Sequence, residues 1–195
     1  MIRTPLRRLV ALATTAVAVA AALALTAPAQ ASTARHCGIT WGSLAKHGPV
    51  AGPVTGALLT DVRAGRHNCY DRLVLDVRGT SALRSWRVEY VKQVTADPSG
   101  LPVPLRGGAF LQLAVGASDH TDAGVLTYAP ADRGELVDVA GFSTFRQVAW
   151  AGAFEGISSI GLGVRARLPF RVLTVSGIPG SANGTRVVID VAHRW

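Results

Sequence analysis

This chain of 195 residues lacks the patterns from which most enzyme active sites are recognised. It contains only three glutamates, so the carboxylate pair of a glycoside hydrolase would have to be gathered largely from aspartates on separate strands. Its five histidines match no zinc-binding spacing, and the polar stretch 118–122 lacks the spacing and the glycine of a calcium loop. The serines in 156–161 form no nucleophile elbow, and 161–163 lacks the third glycine of a phosphate-binding loop. We therefore expect no catalytic residue, no metal and no cofactor.

The one long apolar run lies at the N-terminus. Three arginines precede a stretch rich in Ala, Val and Leu over 9–27, and Pro28 and the triplet Ala-Gln-Ala follow it. This order is that of a secretory signal peptide cut after Ala31. The run is also long enough for a marginal membrane-spanning helix, but the proline and the Ala-x-Ala triplet favour cleavage.

The predicted mature protein, residues 32–195, is secreted and lies in the extracellular space or at the cell wall. Cys37 follows no lipobox, so we expect no lipid anchor and no stable membrane insertion after cleavage. The first 31 residues carry three of the 20 basic residues and none of the 12 acidic ones, which leaves a net charge of +5. This charge favours anionic wall polymers as partners, although the abundance of arginine also fits a biased base composition. The basic residues form no cluster, so we expect no nucleic-acid partner, and a monomer is the default.

Cys37 and Cys69 are the only cysteines. An oxidising compartment favours a disulfide between them, and closing a loop of this length stabilises a fold by roughly 3 to 4 kcal/mol in the chain-entropy model. A reactive or metal-binding thiol pair is the alternative, but no further Cys or His stands at ligand spacing.

Beyond Gly56, short apolar runs with a period of two alternate with turn residues, which is typical of β-strands. Gly161 and Gly163 inside such a run indicate a bulge, a bend or a close backbone approach. The polar stretch 118–141 is predicted to be a surface loop, and 140–147 is the one candidate for a short helix. The predicted strands are 72–78, 86–90, 111–115, 145–153, 157–164, 170–176 and 186–191.

Seven or eight short strands without a long helical period predict an all-β fold, an antiparallel β-sandwich with an irregular N-terminal arm. A barrel is the alternative. We divide the chain into a signal peptide (1–31), the arm (32–54) and the sandwich domain (55–195). Trp41 and Leu44 are the only large side chains that anchor the arm.

The most distinctive polar cluster, Gly65–Arg72, opens a predicted strand. Its His67 followed by Tyr70-Asp71-Arg72 resembles the hallmark of the AMIN-like domain, a secreted actinobacterial module related to the AMIN domain of cell-wall amidases. The resemblance extends over about 55–191 and implies a sandwich of two antiparallel sheets that attaches noncovalently to peptidoglycan or another envelope polymer. Further blocks agree in order: 86–91, 108–113, 154–156, 161–163, 169–172 and 186–191.

Two interpretations of His67, Tyr70, Asp71 and Arg72 are open. In the first, Asp71 and Arg72 satisfy turn backbone or pair across strands, and His67 caps the same turn. In the second, they form a shallow polysaccharide site in which Tyr70 or another exposed aromatic residue presents its ring to a sugar and Arg72 meets a carboxylate or phosphate.

We therefore predict a noncatalytic binding module of the cell envelope, whose partner is peptidoglycan or another anionic wall polymer. A cell-wall hydrolase with carboxylates from separate strands is one alternative. A secreted protein that binds another protein through an exposed sheet edge is the other.

Overall fold

A computed structural model describes residues 35–48, 56–79, 83, 85–178 and 181–195. The predicted signal peptide lies outside the described residues. Within them there are thirteen strands and no helix. The strands are β1 (Arg35–His36), β2 (Ile39–Thr40), β3 (Lys46–His47), β4 (Leu58–Arg66), β5 (Tyr70–Arg78), β6 (Trp86–Val91), β7 (Val94–Thr95), β8 (Pro102–Val103), β9 (Ala109–Val115), β10 (Phe145–Phe154), β11 (Ile157–Val164), β12 (Phe170–Ile178) and β13 (Ser181–Ala192).

Two antiparallel sheets form the body of the molecule. One has five strands in the order β10-β11-β9-β6-β3, and the other has four in the order β12-β13-β5-β4. Inward side chains of both sheets, such as Leu75 and Ile189 from one and Leu111 and Leu162 from the other, join in a single fully buried core. Successive side chains of a strand point to opposite faces of its sheet, so every second residue enters this core, as the alternating burial along β9 shows. The predicted antiparallel β-sandwich is confirmed.

All seven predicted strands are present. β4 was not among them, because a bulge between Leu59 and Asp61 breaks its period of two. The candidate helix over 140–147 is wrong: these residues form a turn and the start of β10. The reason is that Thr144 and Phe145 donate their backbone N–H groups to the Asp71 carboxylate, which holds the chain extended there.

The N-terminal arm connects the two sheets along one side. The predicted Cys37–Cys69 disulfide is present and joins the arm to the turn before β5. Gly42 accepts a hydrogen bond of 2.9 Å from the backbone N–H of Phe170 in the four-stranded sheet, and β3 then pairs with β6 in the five-stranded one. Trp41 is buried as expected, whereas the expectation for Leu44 is wrong, since its side chain is exposed.

The polar stretch 118–141 forms a long loop that follows two sheet edges. Near its start, Ser118 accepts a hydrogen bond from the Leu59 N–H beside β4. Farther along, Arg133 accepts one from the Trp150 N–H beside β10. Tyr128 and Val139 are buried, so the predicted surface loop also contributes to the core.

A second segment, 92–108, lies on the outer face of the five-stranded sheet, and we call it the covering segment. A Cβ atom added to Gly163 would lie 2.0 Å from the Arg106 carbonyl oxygen, and one added to Gly152 would lie 2.1 Å from that of Asp97. At Gly161, a Cβ would meet the Leu105 side chain at 2.8 Å. Only glycine admits backbone this closely. Of the features expected at these glycines, a close backbone approach is confirmed at Gly163, whereas Gly161 makes room for side chains.

Candidate functional site

The first strand residues after the disulfide point alternately outward and inward. Tyr70 and Arg72 lie on the outer face of the four-stranded sheet, whereas Asp71 is fully buried at the end of the core. The Asp71 Oδ2 atom accepts backbone hydrogen bonds of 2.5 Å from Thr144 and 3.2 Å from Phe145. Its Oδ1 atom lies 3.2 Å from Nε2 of His193. Asp71 thus fixes where β10 begins and presents no surface to a ligand.

Arg72 forms part of an ion cluster across three neighbouring strands. Its Nε and Nη2 atoms donate hydrogen bonds of 2.7 and 2.9 Å to the Asp190 carboxylate on β13. Arg171 on β12 donates one of 2.8 Å to the same carboxylate. Asp190 is wholly buried, and the two arginine side chains are 27% and 26% exposed. One carboxylate between two guanidinium groups leaves a local excess of one positive charge.

Hydrogen bonding to Asp190 raises the pKa of Arg72, so this guanidinium stays protonated. Register explains the cluster, because Asp190 lies opposite Arg72 on one side and opposite Arg171 on the other. Direct cross-strand pairs of opposite charge stabilise a sheet, and a bidentate arginine–carboxylate pair is among the strongest.

An aromatic cluster adjoins these ions. The rings of His67 and Tyr70 stack with their centroids 4.6 Å apart, and the Trp41 ring lies 5.9 Å from that of Tyr70. The Arg72 guanidinium carbon lies 5.2 Å from the Tyr70 centroid, and that of Arg171 lies 5.4 Å from it. Trp41 is buried and Tyr70 half-buried, whereas His67 is exposed. His67 therefore presents the outermost ring of the cluster.

The turn that connects β4 to β5 holds His67 in place. The His67 backbone N–H donates a hydrogen bond of 3.0 Å to the Tyr70 carbonyl, and Cys69 in this turn is tied to the arm. We name His67, Tyr70, Arg72 and Arg171 the Tyr70 patch. The structure thus brings three of the four predicted site residues to one surface and places Asp71 beneath it.

Sequence reasoning missed Arg171, Asp190 and Trp41. Asp190 lies 118 positions from Arg72, and nothing in the sequence states which strands are neighbours. The available signal was an acidic residue at an outward position of a valine-rich strand, which calls for a cationic partner.

The disulfide has a histidine neighbour that sequence spacing did not reveal. The ring nitrogens of His36 lie 3.7 and 3.8 Å from the Cys37 sulfur, and ligand atoms of His36, Cys37 and Cys69 lie within 4.8 Å of one another. Both sulfurs are bonded to each other, so neither offers a thiolate to a metal in the oxidised protein.

The two serines of 156–161 are buried. Ser158 donates its hydroxyl hydrogen bond to the Ala117 carbonyl at 2.7 Å, and Ser159 donates to the Asp97 carboxylate at 2.5 Å. These bonds attach β11 to its neighbours, so both hydroxyls serve the fold.

The geometry defines a β-sandwich domain with a small cationic and aromatic surface beside a disulfide. Residues 57–193 match the family model of the AMIN-like domain. The chain therefore belongs to the AMIN-like domain family. Comparison with curated proteins and with solved structures gave no match.

This family relates the chain to the cell wall and to binding, and its domains are typically extracellular or periplasmic. Over the described part of the chain, no helix has the length and apolar character needed to cross a membrane.

Proposed function

We propose that this protein is a secreted, noncatalytic module of the cell envelope that binds peptidoglycan or another anionic wall polymer through the Tyr70 patch. The observation that carries the proposal is the sharing of the buried Asp190 carboxylate by Arg72 and Arg171 beside the exposed His67 ring. In this proposal Asp71 positions the surface from below, and Trp41 supports it from the arm.

Charge supports an anionic ligand. A guanidinium that shares its counterion has unsatisfied positive potential, and planar guanidinium groups bind carboxylates and phosphates through paired N–H donors. Residues 32–195 carry a net charge of +5, which adds a long-range attraction to the wall.

The aromatic cluster supports a sugar as the neutral part of that ligand. The stacked His67 and Tyr70 rings form a flat apolar surface, and such surfaces pack against the apolar faces of small polar ligands. Tyr70 is held by its contacts with Trp41 and the two guanidinium groups, so little conformational entropy is lost when a ligand binds.

The acidic residues at this surface support a noncatalytic role. Asp71 and Asp190 are both wholly buried, and each already accepts hydrogen bonds from the protein. Neither carboxylate faces a position where a substrate would lie, which general acid–base catalysis requires.

Sedimentation with purified cell wall, over roughly 50 to 500 mM salt, tests the proposal, because salt screens attraction between exposed charges. We expect retention that falls with salt and that falls about tenfold in His67→Ala, whose side chain is exposed. His47→Ala, an equally conservative change of an exposed histidine on β3, is the matched control and should bind as the parent does. Retention no better than that of an unrelated protein of equal charge would defeat the proposal, and release of soluble muropeptides would indicate a hydrolase.

Export and domain division belong to the same proposal. A signal peptide (1–31) is removed, the arm (32–54) carries one half of the disulfide, and 55–195 forms the binding domain. The intact mass of protein from the culture medium should equal that of 32–195 with one disulfide. A mass that retains the first 31 residues would contradict removal.

A further inference from the structure

Three of the four edges of the two large sheets are shielded within the described residues. The β10 edge is covered where Arg133 accepts a hydrogen bond from Trp150. The β4 edge carries a bulge between Leu59 and Asp61 and the charged residues Asp61, Arg63 and Arg66, and beside the bulge the Leu59 N–H bonds to Ser118 and its carbonyl to the Thr127 hydroxyl. β3 is two residues long and offers little edge. Such devices prevent unwanted strand pairing.

The fourth edge, that of β12, is different. Its first residue, Phe170, donates its N–H to Gly42 of the arm, and beyond this contact no described strand pairs with the edge. The covered stretch is therefore one residue of a nine-residue strand.

Hydrogen-bond parity shows which backbone groups point away from the sheet. The Ala192 N–H bonds to the Pro169 carbonyl, so the odd-numbered residues of this stretch direct their backbone N–H and C=O groups toward β13. The Phe170 N–H points the other way, toward Gly42 of the arm. Val172, Thr174 and Ser176 have the same parity as Phe170 and direct their N–H and C=O groups outward. Among the described side chains, that of Arg186 reaches them: its Nη2 lies 3.5 Å from the Ser176 carbonyl, a weak bond at that length.

The side chains between 172 and 176 offer no protection against pairing. They include no proline and no charge, and the outward Leu173 and Val175 are 37% and 38% exposed. Pairing must end at Ser176, since the register of β12 shifts between Ser176 and Ile178.

We propose that β12 pairs with β12 of a second copy in antiparallel register about a two-fold axis at Thr174. Val172 then lies opposite Ser176 of the partner subunit, and Thr174 lies opposite its own copy. These three hydrogen-bonded pairs would form about six N–H···O bonds, because each such pair exchanges two. Leu173 of each copy lies opposite Val175 of the partner subunit. The two form a non-hydrogen-bonded pair, in which side chains are closest.

This register is self-complementary in three respects. Outward N–H and C=O groups meet each other, exposed apolar side chains meet each other, and no like charges lie opposite one another within 172–176. The two four-stranded sheets become one sheet of eight strands. A two-fold axis perpendicular to the sheet would place both Tyr70 patches on the same side, so a long polymer could engage both.

Sedimentation equilibrium of the purified protein tests the proposal. We expect a monomer–dimer equilibrium whose dissociation constant rises about tenfold or more in Thr174→Pro, which removes two of the bonds. The Thr174 N–H points outward, so this change removes no hydrogen bond from the β12–β13 pair, and thermal unfolding of the variant should confirm an intact fold.

A second set of variants tests the register itself. Leu173→Lys with Val175→Lys should abolish the dimer, as should the double glutamate variant, and mixing the two should restore association by placing opposite charges across the axis. The matched control, Leu101→Lys with Val125→Lys, changes side chains that are 65% and 63% exposed elsewhere and should leave the dimer unchanged. A parent that stays monomeric, a dimer indifferent to Thr174→Pro, or a mixture that does not associate would each overturn the proposal.

Discussion

The outer faces of the two sheets are covered by different kinds of groups. The five-stranded sheet presents glycine at Gly161 and Gly163, and the covering segment lies against them, with backbone at Gly163 and with side chains at Gly161. The four-stranded sheet presents Arg72, Asp190 and Arg171 side by side, and ion pairs form its outer layer.

The difference shows that outward-facing residues decide what can lie on a sheet. A surface without Cβ atoms lets another stretch of backbone approach, and that face then becomes interior. A surface of long charged side chains keeps its own groups partly solvated and available to a partner. In the proposed function the first face serves the fold and the second serves binding, and substitutions on each face can test that difference.

The largest effect is expected at Asp190. Asp190→Ala leaves two guanidinium groups without their shared counterion and should lower the free energy of unfolding by about 3 to 5 kcal/mol, because breaking a buried ion pair costs that much. Urea unfolding measures it. Glu89→Ala on the other sheet removes an acid whose partner, Arg87, is 63% exposed, and should cost less than about 1 kcal/mol. Equal losses of stability in the two variants would show that the buried ion cluster contributes no more than an exposed ion pair.

The disulfide supports the same face from the arm. Changing both Cys37 and Cys69 to serine should cost roughly 3 to 4 kcal/mol, the chain-entropy value for a separation of 32 residues. Binding to the wall should weaken as well, since the turn that holds His67 loses its tie. A double variant with full stability and full binding would show that the bridge contributes to neither.

At the glycine face, Gly163→Ala should cost about 3 kcal/mol, since the new Cβ would lie 2.0 Å from a backbone oxygen, which moves less easily than the end of a side chain. Gly161→Ala should cost only about 1 to 2 kcal/mol, because its 2.8 Å contact is with the Leu105 side chain, which can move. Adding Leu105→Ala to Gly161→Ala should recover part of that loss. Adding Leu105→Ala to Gly163→Ala should recover none, because the obstacle there is backbone. Thermal unfolding of the four variants distinguishes these cases, and wall binding should be unchanged in all of them.

The smallest effect concerns the interior between the faces. The Tyr90 hydroxyl donates to the Leu168 carbonyl at 2.6 Å and accepts from the Leu168 N–H at 3.0 Å, so Tyr90→Phe should cost about 1 kcal/mol at neutral pH.

Burial raises the pKa of Tyr90 to about 12 from an ordinary value of 10.0. Its neutral form is therefore favoured in the fold, and the resulting stability is complete below pH 10 and lost as the pH rises toward 12. Tyr90→Phe should show a shallower alkaline loss than the parent, and Tyr128, whose pKa is also raised by burial, should contribute to the loss that remains. An unchanged alkaline slope in urea unfolding would contradict this assignment.

The fold was predictable to the extent that strands show a period of two. The strand ending in Val187, Ile189 and Val191 is an example, since its inward valines and isoleucine define the core side without knowledge of its neighbours. The covering segment was not predictable. Pro98, Gly100 and Pro102 are typical turn residues, and packing of a segment onto the face of a distant sheet leaves no local sequence pattern.

The candidate site was predictable only as a stretch of sequence. His67, Tyr70, Asp71 and Arg72 are adjacent in the chain, and alternation along β5 separates Asp71 from the others. Their partners depend on sheet order, which places Asp190 beside Arg72 from the far end of the chain.

Backbone amide chemical-shift mapping, during titration with soluble muropeptides released from purified cell wall, tests the central claim most directly. We expect perturbations concentrated at 66–72 and around Arg171 and Asp190, with the covering segment unaffected. Perturbations confined to 92–108, or none at saturating muropeptide, would contradict the assignment of binding to the four-stranded face.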